Sequence, residues 1–146
     1  MKLLHFPFNA HSLRPSPQVR EAQAEEVLSL SRTIASKVDL LVVGGDLNST
    51  PASKAYAKFV AEGLKDTHIE LKDSEHEKFH TWGNEKNTWT SEEPGFRIDY
   101  LLYKTIGDQI SNIRTSMFRV LDAKVQGMSV SDHMGVESNL RITLNK

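Results

Sequence analysis

Residues 39–51 read DLLVVGGDLNSTP, and this stretch decides the fold. Leu40 to Val43 form a continuous apolar run with two β-branched residues, which is typical of a strand that is covered on both faces. A cap-then-proline signal at 49–51 follows, and it predicts a helix over 51–62. The polar residues between strand and helix therefore lie at the carboxyl end of a buried strand, where open α/β sheets bind their ligands.

Asp46 and Asn48 are the polar side chains on this turn. If the strand continues through Asn48, its period of two places both side chains on one face, and the two glycines before them allow a ligand to come close. The alternative interpretation is that the pair only caps the following helix or forms an Asx turn. The motif by itself does not decide between these interpretations.

The rest of the chain alternates strands and helices. Residues 3–10 read as a short strand, and a helix capped by the preceding serine is predicted over 17–37. After the second helix a long polar loop leads to a predicted strand over 95–104, and the alternation at 136–144 predicts a half-buried final strand. This order predicts an α/β fold in one domain over 1–146.

Composition narrows the function classes. The 146 residues are enough for one core, and 38% hydrophobic and 25% charged residues are ordinary for a globular protein. Because no apolar run approaches a membrane span of roughly 18 residues and no secretory core begins the sequence, we expect a cytoplasmic protein whose membrane contact is peripheral. The absence of cysteine favours a hard metal ion on carboxylates, amides or histidines. The net charge of -1 argues against a strongly basic nucleic-acid-binding surface.

Asp99 is an acid within a predicted strand, GFRIDYLLYK over 95–104. Aspartate is disfavoured in strands, and alternation places it on the same side as Arg97. One interpretation is an Arg97–Asp99 ion pair on a solvated sheet face. The other is a functional carboxylate.

Asp132 and His133 are adjacent in the loop that enters the final strand. Such a pair is a weak signal in isolation, because most loop histidines are simply exposed. Its combination with the acids at 46 and 99 is what makes a shared site a serious hypothesis.

Four stretches resemble, in order, the DNase I-like superfamily of endonucleases, exonucleases and phosphatases: FNAHS at 8–12, GGDLNSTP at 44–51, FRIDYLLYK at 96–104 and SVSDHMGVES at 129–138. Within it, GLKDTHIELKD and Asn87-Thr88-Trp89 are most similar to magnesium-dependent neutral sphingomyelinases. The resemblance implies a DNase I-like four-layer α/β sandwich, of which this chain corresponds to the C-terminal half, a mixed sheet with covering helices.

The resemblance also implies roles for individual residues. His133 matches the essential histidine near the scissile phosphate, and Asp99 matches the residue that holds its ring. Asp46 is the alternative general base, and Asn48 orients phosphate or water. His11 resembles a second histidine that faces the phosphate.

The family's metal is usually Mg²⁺, bound to an oxygen of the phosphodiester. Asp132 matches a carboxylate near the metal, and Asp46 is a second candidate ligand. The glutamate that the family uses as its main metal ligand has no match in this sequence, because the acids at 21, 25 and 26 fall on the first predicted helix.

The activity implied by the closest resemblance is hydrolysis of sphingomyelin to ceramide and phosphocholine. The alternatives are a DNase or AP-endonuclease-like nuclease, and a catalytically inactive homologue that keeps the motifs. Nucleic acid is the less favoured substrate, because of the near-neutral charge. A half-sandwich would leave an apolar face open, so self-association is also expected.

Overall fold

The computed structural model describes residues 3–9, 16–71 and 79–146. Its helices and strands are, in chain order, β1 (Leu3–Asn9), α1 (Pro17–Ile34) with a 3₁₀ turn at Ala35–Lys37, β2 (Leu40–Asp46), α2 (Lys54–Ala61), β3 (Lys65–Asp66), β4 (Asp99–Thr105), β5 (Ile110–Leu121), β6 (Lys124–Val125), β7 (Met128–Ser129) and β8 (Gly135–Leu144).

The main sheet has the strand order β1-β2-β4-β3. β1 runs parallel to β2, whereas β4 is antiparallel to both β2 and β3. β5 and β8 form a second, antiparallel sheet, and β6 and β7 form a small hairpin between them in sequence. In the main sheet Asp46 lies directly opposite Asp99, which brings the ends of two of the predicted motifs together.

Three layers bury two cores. Between the helices and the main sheet lies a core of Ala24, Leu28, Leu41, Val43, Leu47, Ala55, Tyr56, Phe59, Leu64, Tyr100 and Leu102. Between the main sheet and the β5–β8 sheet lies a core of Leu40, Tyr103, Ile110 and Ile113, with Val42, Leu140 and Ile142 beside it. Alternate residues of β2 therefore enter opposite cores, which confirms the prediction of a strand that is covered on both faces.

The second helix begins later than predicted. Residues 51–53 form a turn in which the Ser53 N–H donates to the Thr50 carbonyl at 2.9 Å. Ser53, rather than a residue at 49–51, is the cap, since its Oγ accepts from the Tyr56 N–H at 3.2 Å. Pro51 thus lies in the turn.

The strand β5 was not predicted, and the reason is visible in its packing. Its register against β8 shifts twice, between Ile110 and Asn112 and between Thr115 and Met117. The residues that it buries are therefore spaced by three, two and three positions instead of two: Ile110, Ile113, Thr115 and Phe118. A β-bulge adds a residue to one strand, so the sequence loses the alternation from which strands are recognised.

A helical layer on a mixed sheet, backed by a second sheet, is one half of a four-layer α/β sandwich, so the predicted fold class is confirmed. None of the helices in the described parts of the chain is long and apolar enough to cross a bilayer.

Candidate active site

Asp46 is the last residue of β2 and lies opposite Asp99, the first residue of β4. β2 ends at Asp46, and Asn48 has a φ of 47°, so the strand does not continue through Asn48 as expected. Instead, Asp46 Oδ1 accepts from the Asn48 N–H at 2.7 Å and Asp46 Oδ2 accepts from Asn48 Nδ2 at 2.9 Å. The Asx-turn interpretation is thus correct in geometry, and the turn fixes the carboxylate that faces the rest of the site.

His133 and Asp99 form the ion pair of the site. His133 Nδ1 lies 2.9 Å from Asp99 Oδ2, and both side chains are partly buried. The hydrogen bond to Asp99, with added attraction from the carboxylates at 46 and 132, raises the pKa of His133 above its ordinary value, although burial opposes this. Because Asp99 occupies Nδ1, Nε2 is the ring nitrogen that can act on a ligand.

Asp46, Asp99 and His133 each offer a ligand atom, and these atoms all lie within 4.8 Å of one another. Two like charges about 5 Å apart repel by roughly 3 kcal/mol at an effective dielectric near 20. A cation between them would relieve this repulsion. Mg²⁺ prefers oxygen ligands, and the carboxylates of Asp46 and Asp99 supply them, so these two residues fit the metal that the family implies, whereas an imidazole is not among its usual ligands.

Thr81 joins two segments of the site, a role that no local pattern in the sequence indicates. Thr81 Oγ1 accepts from the backbone N–H groups of Ile98 and Asp99, at 3.0 and 3.1 Å. Its carbonyl accepts from the Met134 N–H at 2.7 Å, one residue beyond His133. Thr81 is fully buried. A threonine between an imidazole and an indole has no local signal for this function, since its partners are 17 or more residues away in sequence.

Asn87, Thr88 and Trp89 hold the loop before His133. Asn87 Nδ2 donates to the Ser131 carbonyl at 2.9 Å, and Trp89 Nε1 donates to the Ser129 carbonyl at 2.6 Å. The Thr88 N–H donates to Ser129 Oγ at 3.1 Å. The motif that resembled sphingomyelinases therefore supports the histidine loop.

Arg97 does not pair with Asp99, which corrects the ion pair considered above. Arg97 Nη1 donates to Asp66 Oδ2 at 2.7 Å, and the guanidinium lies 4.6 Å from the centre of the Tyr100 ring. Tyr56 also donates to Asp66 Oδ2, at 2.8 Å. β4 begins at Asp99, so Arg97 precedes the strand, and strand alternation does not govern its direction.

This buried network reaches the turn that contains Asn48. The Tyr100 hydroxyl lies 2.7 Å from the Ser49 carbonyl and 2.8 Å from the Arg97 carbonyl, both of which are acceptors. Burial raises the pKa of Tyr100 well above its usual range, so the hydroxyl remains a donor. The contact ties the residue after Asn48 to the same strand that carries Asp99.

Asp132 is a predicted site residue that does not belong to the cluster. Asp132 is exposed, its Oδ1 lies 3.5 Å from Ser131 Oγ, and its carbonyl accepts from Thr90 Oγ1 at 3.3 Å. His11 lies outside the described residues.

Comparisons with known proteins identify a family and similar folds. The model of the endonuclease/exonuclease/phosphatase family matches residues 3–133. No curated protein matches the sequence. Among solved structures, TDP2 of D. rerio complexed with a single-strand DNA product has a TM-score of 0.71 at 19% identity, over 95% of this chain and 55% of that one. The human Nocturnin catalytic domain with bound sulfate has a TM-score of 0.58 at 20% identity, over 97% and 46%.

A mannosyl-6-phosphatase of Bacteroides thetaiotaomicron has a TM-score of 0.57 at 18% identity, over 95% of this chain and 49% of that one. This chain therefore spans about half the length of these structures, and their likeness shows the fold. None of the three is a sphingomyelinase, so the narrower resemblance stays a prediction. The match over 131 residues and the shared fold lead to one assignment: the chain belongs to the endonuclease/exonuclease/phosphatase family.

Proposed function

We propose that this chain hydrolyses phosphodiesters, with His133 and Asp46 acting at the reacting phosphate. The observation that carries the proposal is the convergence of Asp46, Asp99 and His133 within 4.8 Å, with Asp99 already bound to the inner nitrogen of the imidazole. Metal-dependent phosphoester hydrolysis is the activity of the family, so the chemistry of the cluster and the membership agree.

Asp99 positions His133. By accepting from Nδ1–H it fixes the ring orientation and leaves Nε2 toward the phosphate. Because the pKa of His133 is raised, the imidazolium persists above its ordinary range, and Nε2–H can donate to a phosphoryl oxygen as negative charge develops there. Asp46 is then the better candidate for accepting the proton of the attacking water, with Asn48 keeping its carboxylate in place.

Asp46 and Asp99 are the residues of the cluster that would hold Mg²⁺, and Asp132 is a further carboxylate for the metal if its exposed side chain turns toward the site. A bound divalent ion would supply polarisation of the phosphoryl oxygen and would offset the repulsion between the two acids.

For the substrate, we propose sphingomyelin, cleaved to ceramide and phosphocholine. Support comes from the resemblance of residues 63–73 and 87–89 to neutral sphingomyelinases. In the structure Asp66, Asn87 and Trp89 of these stretches are supporting residues that hold β4 and the histidine loop. A nuclease is the second candidate, since the TDP2 structure was determined with a DNA product.

The deciding experiment is phosphocholine release from sphingomyelin vesicles by the 146-residue chain, with and without Mg²⁺, beside His133→Ala. Metal-dependent release that the variant lacks would support both the site and the lipid substrate. Single-stranded DNA and a soluble chromogenic phosphodiester are tested in parallel. Cleavage of DNA without lipid turnover would transfer the assignment to a nuclease, and no cleavage of any substrate by a folded sample would favour an inactive homologue.

Self-association is a separate proposal, motivated by the expected open face of a half-sandwich. Light scattering across a range of concentrations tests it directly, and a concentration-independent monomer would reject it.

A further inference from the structure

A buried amide side chain contacts the segment that carries His133. Asn87 is only 1% exposed, although asparagine is mostly found at protein surfaces. Its Nδ2 donates to the Ser131 carbonyl at 2.9 Å, and its Oδ1 accepts from the Trp89 N–H at 2.9 Å. Because a carbonyl can only accept and an N–H can only donate, these two partners hold the amide in one orientation.

The same nitrogen also contacts the segment after the histidine. Asn87 Nδ2 lies 3.8 Å from Met134 Sδ, which is a weak acceptor. Ser131 precedes His133 by two residues and Met134 follows it by one. One buried amide group therefore contacts both flanks of the Asp132–His133 dipeptide.

The position of the imidazole depends on where its backbone and its inner nitrogen are held. The Met134 N–H donates to the Thr81 carbonyl at 2.7 Å, and His133 Nδ1 lies 2.9 Å from Asp99 Oδ2. The hydrogen bond from Asn87 holds the remaining side of the dipeptide, before the histidine. Because a misplacement of about 1 Å can lower the rate of an enzyme about 10²-fold, a side chain that holds this backbone can affect the reaction without touching the substrate.

Asn84, in the same loop, has the same local pattern but a different distant partner. Its Oδ1 accepts from the Lys86 N–H at 3.0 Å, and its Nδ2 donates to the His80 carbonyl at 2.9 Å. Both asparagines therefore accept from the N–H two residues later, as in an Asx turn. The carbonyl that the amide nitrogen reaches is 4 residues away for Asn84 and 44 residues away for Asn87.

We propose that Asn87 is a positioning residue for the reaction, and that its amide nitrogen sets the place of the His133 imidazole by holding both flanks of the Asp132–His133 dipeptide. The effect on the reaction rests on the proposed function, whereas the placement of the histidine rests on burial and hydrogen bonds. The acceptor side of the amide shapes its own loop, and the donor side acts on the histidine.

Asn87→Asp tests this division between the two sides of the amide. A carboxylate can still accept from the Trp89 N–H, but it cannot donate to the Ser131 carbonyl. Asn84→Asp is the matched control, because it also keeps the acceptor side and loses the donor side of its amide. The uncharged variants Asn87→Ser and Asn84→Ser are measured beside them, because a hydroxyl can replace the Asx turn and brings no charge into a buried site.

The first readout is steady-state hydrolysis of a soluble chromogenic phosphodiester with Mg²⁺. We expect both Asn87 variants to lower kcat about 10²-fold, because the histidine is displaced, and to change KM by less than about twofold. Both Asn84 variants should keep kcat within about twofold of the unaltered chain. Thermal melts show which variants are folded, and the serine variants decide the outcome if the buried carboxylate prevents folding.

The second readout is amide hydrogen exchange on the metal-free protein, which needs no substrate. In Asn87→Ser the Met134 N–H should exchange at least about tenfold faster, while the amides in the centre of β4 keep their rates. If no substrate is cleaved but exchange responds in this way, the proposed activity fails and the placement of His133 by Asn87 stands. Equal kcat in the Asn87 and Asn84 variants, a loss of kcat with unchanged exchange at Met134, or faster exchange throughout the chain would overturn the inference.

Discussion

Arg97 and Asp99 lie two residues apart at the start of β4, and each belongs to a pair of an acid and a base. The surroundings of the two pairs differ. Arg97 pairs with Asp66 at 2.7 Å, with side chains only 9% and 3% exposed, and Tyr56 and the His68 N–H also donate to that carboxylate. Asp99 pairs with His133 at 2.9 Å, with side chains 14% and 26% exposed. The first pair is surrounded by donors and aromatic rings, whereas the second pair is partly exposed.

This difference in burial distinguishes a pair that can stabilise the fold from a pair that can take part in a reaction. A buried ion pair whose carboxylate accepts several hydrogen bonds holds the elements that it joins, and removing one partner leaves an uncompensated charge. A partly exposed acid–histidine pair can exchange a proton or donate to a ligand. Residues 97 and 99 thus belong to one motif in the sequence but have different partners and different burial in the structure.

The largest effect is expected on activity, from a change in the partly exposed Asp99–His133 pair. His133→Ala is expected to lower kcat/KM on the cleaved phosphodiester by about 10²–10⁴, because a positioned acid or base is typically worth that much. The measurement is steady-state hydrolysis beside a thermal melt. A melt close to that of the unaltered chain with activity lost would confirm a chemical role, and activity retained within a factor of two would contradict it.

A change in the buried Arg97–Asp66 pair should lower the stability of the protein. Arg97→Met leaves Asp66 without its cation and is expected to reduce the free energy of unfolding by about 3–5 kcal/mol. Urea denaturation followed by circular dichroism measures this. A loss below about 1 kcal/mol would mean that the pair is no stronger than a surface pair.

Asp99→Asn tests whether Asp99 controls the pKa of His133, and the experiment uses the metal-free protein. The Asp99 hydrogen bond raises the pKa of His133, so its stabilisation is complete below the ordinary value of 6.5 and is lost as the pH rises through the raised value. In Asp99→Asn the pKa of His133 should fall, and the decrease in stability just above pH 6.5 should become smaller. An NMR titration assigned with His133→Ala checks this, and an unchanged pKa would show that Asp99 does not control the ring.

The smallest effect is expected at a surface pair that serves as the reference. Arg119 and Glu137 lie 2.6 Å apart between β5 and β8, with side chains 57% and 36% exposed. Arg119→Met should change the free energy of unfolding by only about 0–1 kcal/mol, because water and salt screen the pair. It is the matched control for Arg97→Met in the same denaturation experiment, and a cost as large as that of Arg97→Met would remove the distinction between the two regions.

Much of the architecture could be predicted from local patterns. The buried β2, the cap of α1 and the final strand all carry signals within a few residues, and the structure has Ser16 Oγ accepting from the Val19 N–H at 3.4 Å, as that cap predicts. The start of α2 and the whole of β5 were predicted wrongly or not at all. At α2 a local turn over 50–53 moves the cap to Ser53, whereas at β5 two bulges against β8, which is distant in sequence, alter the local pattern.

The site divides in the same way. The sequence alone was enough to name the residues of the candidate site, since Asp46, Asn48, Asp99 and His133 stand in motifs that are recognisable in order. Only the tertiary structure decided that Asp66, and not Asp99, neutralises Arg97, and that Thr81 joins the segments that carry Asp99 and His133. Motifs are set by neighbours along the chain, whereas burial, charge pairing and exposure depend on residues that only folding brings together.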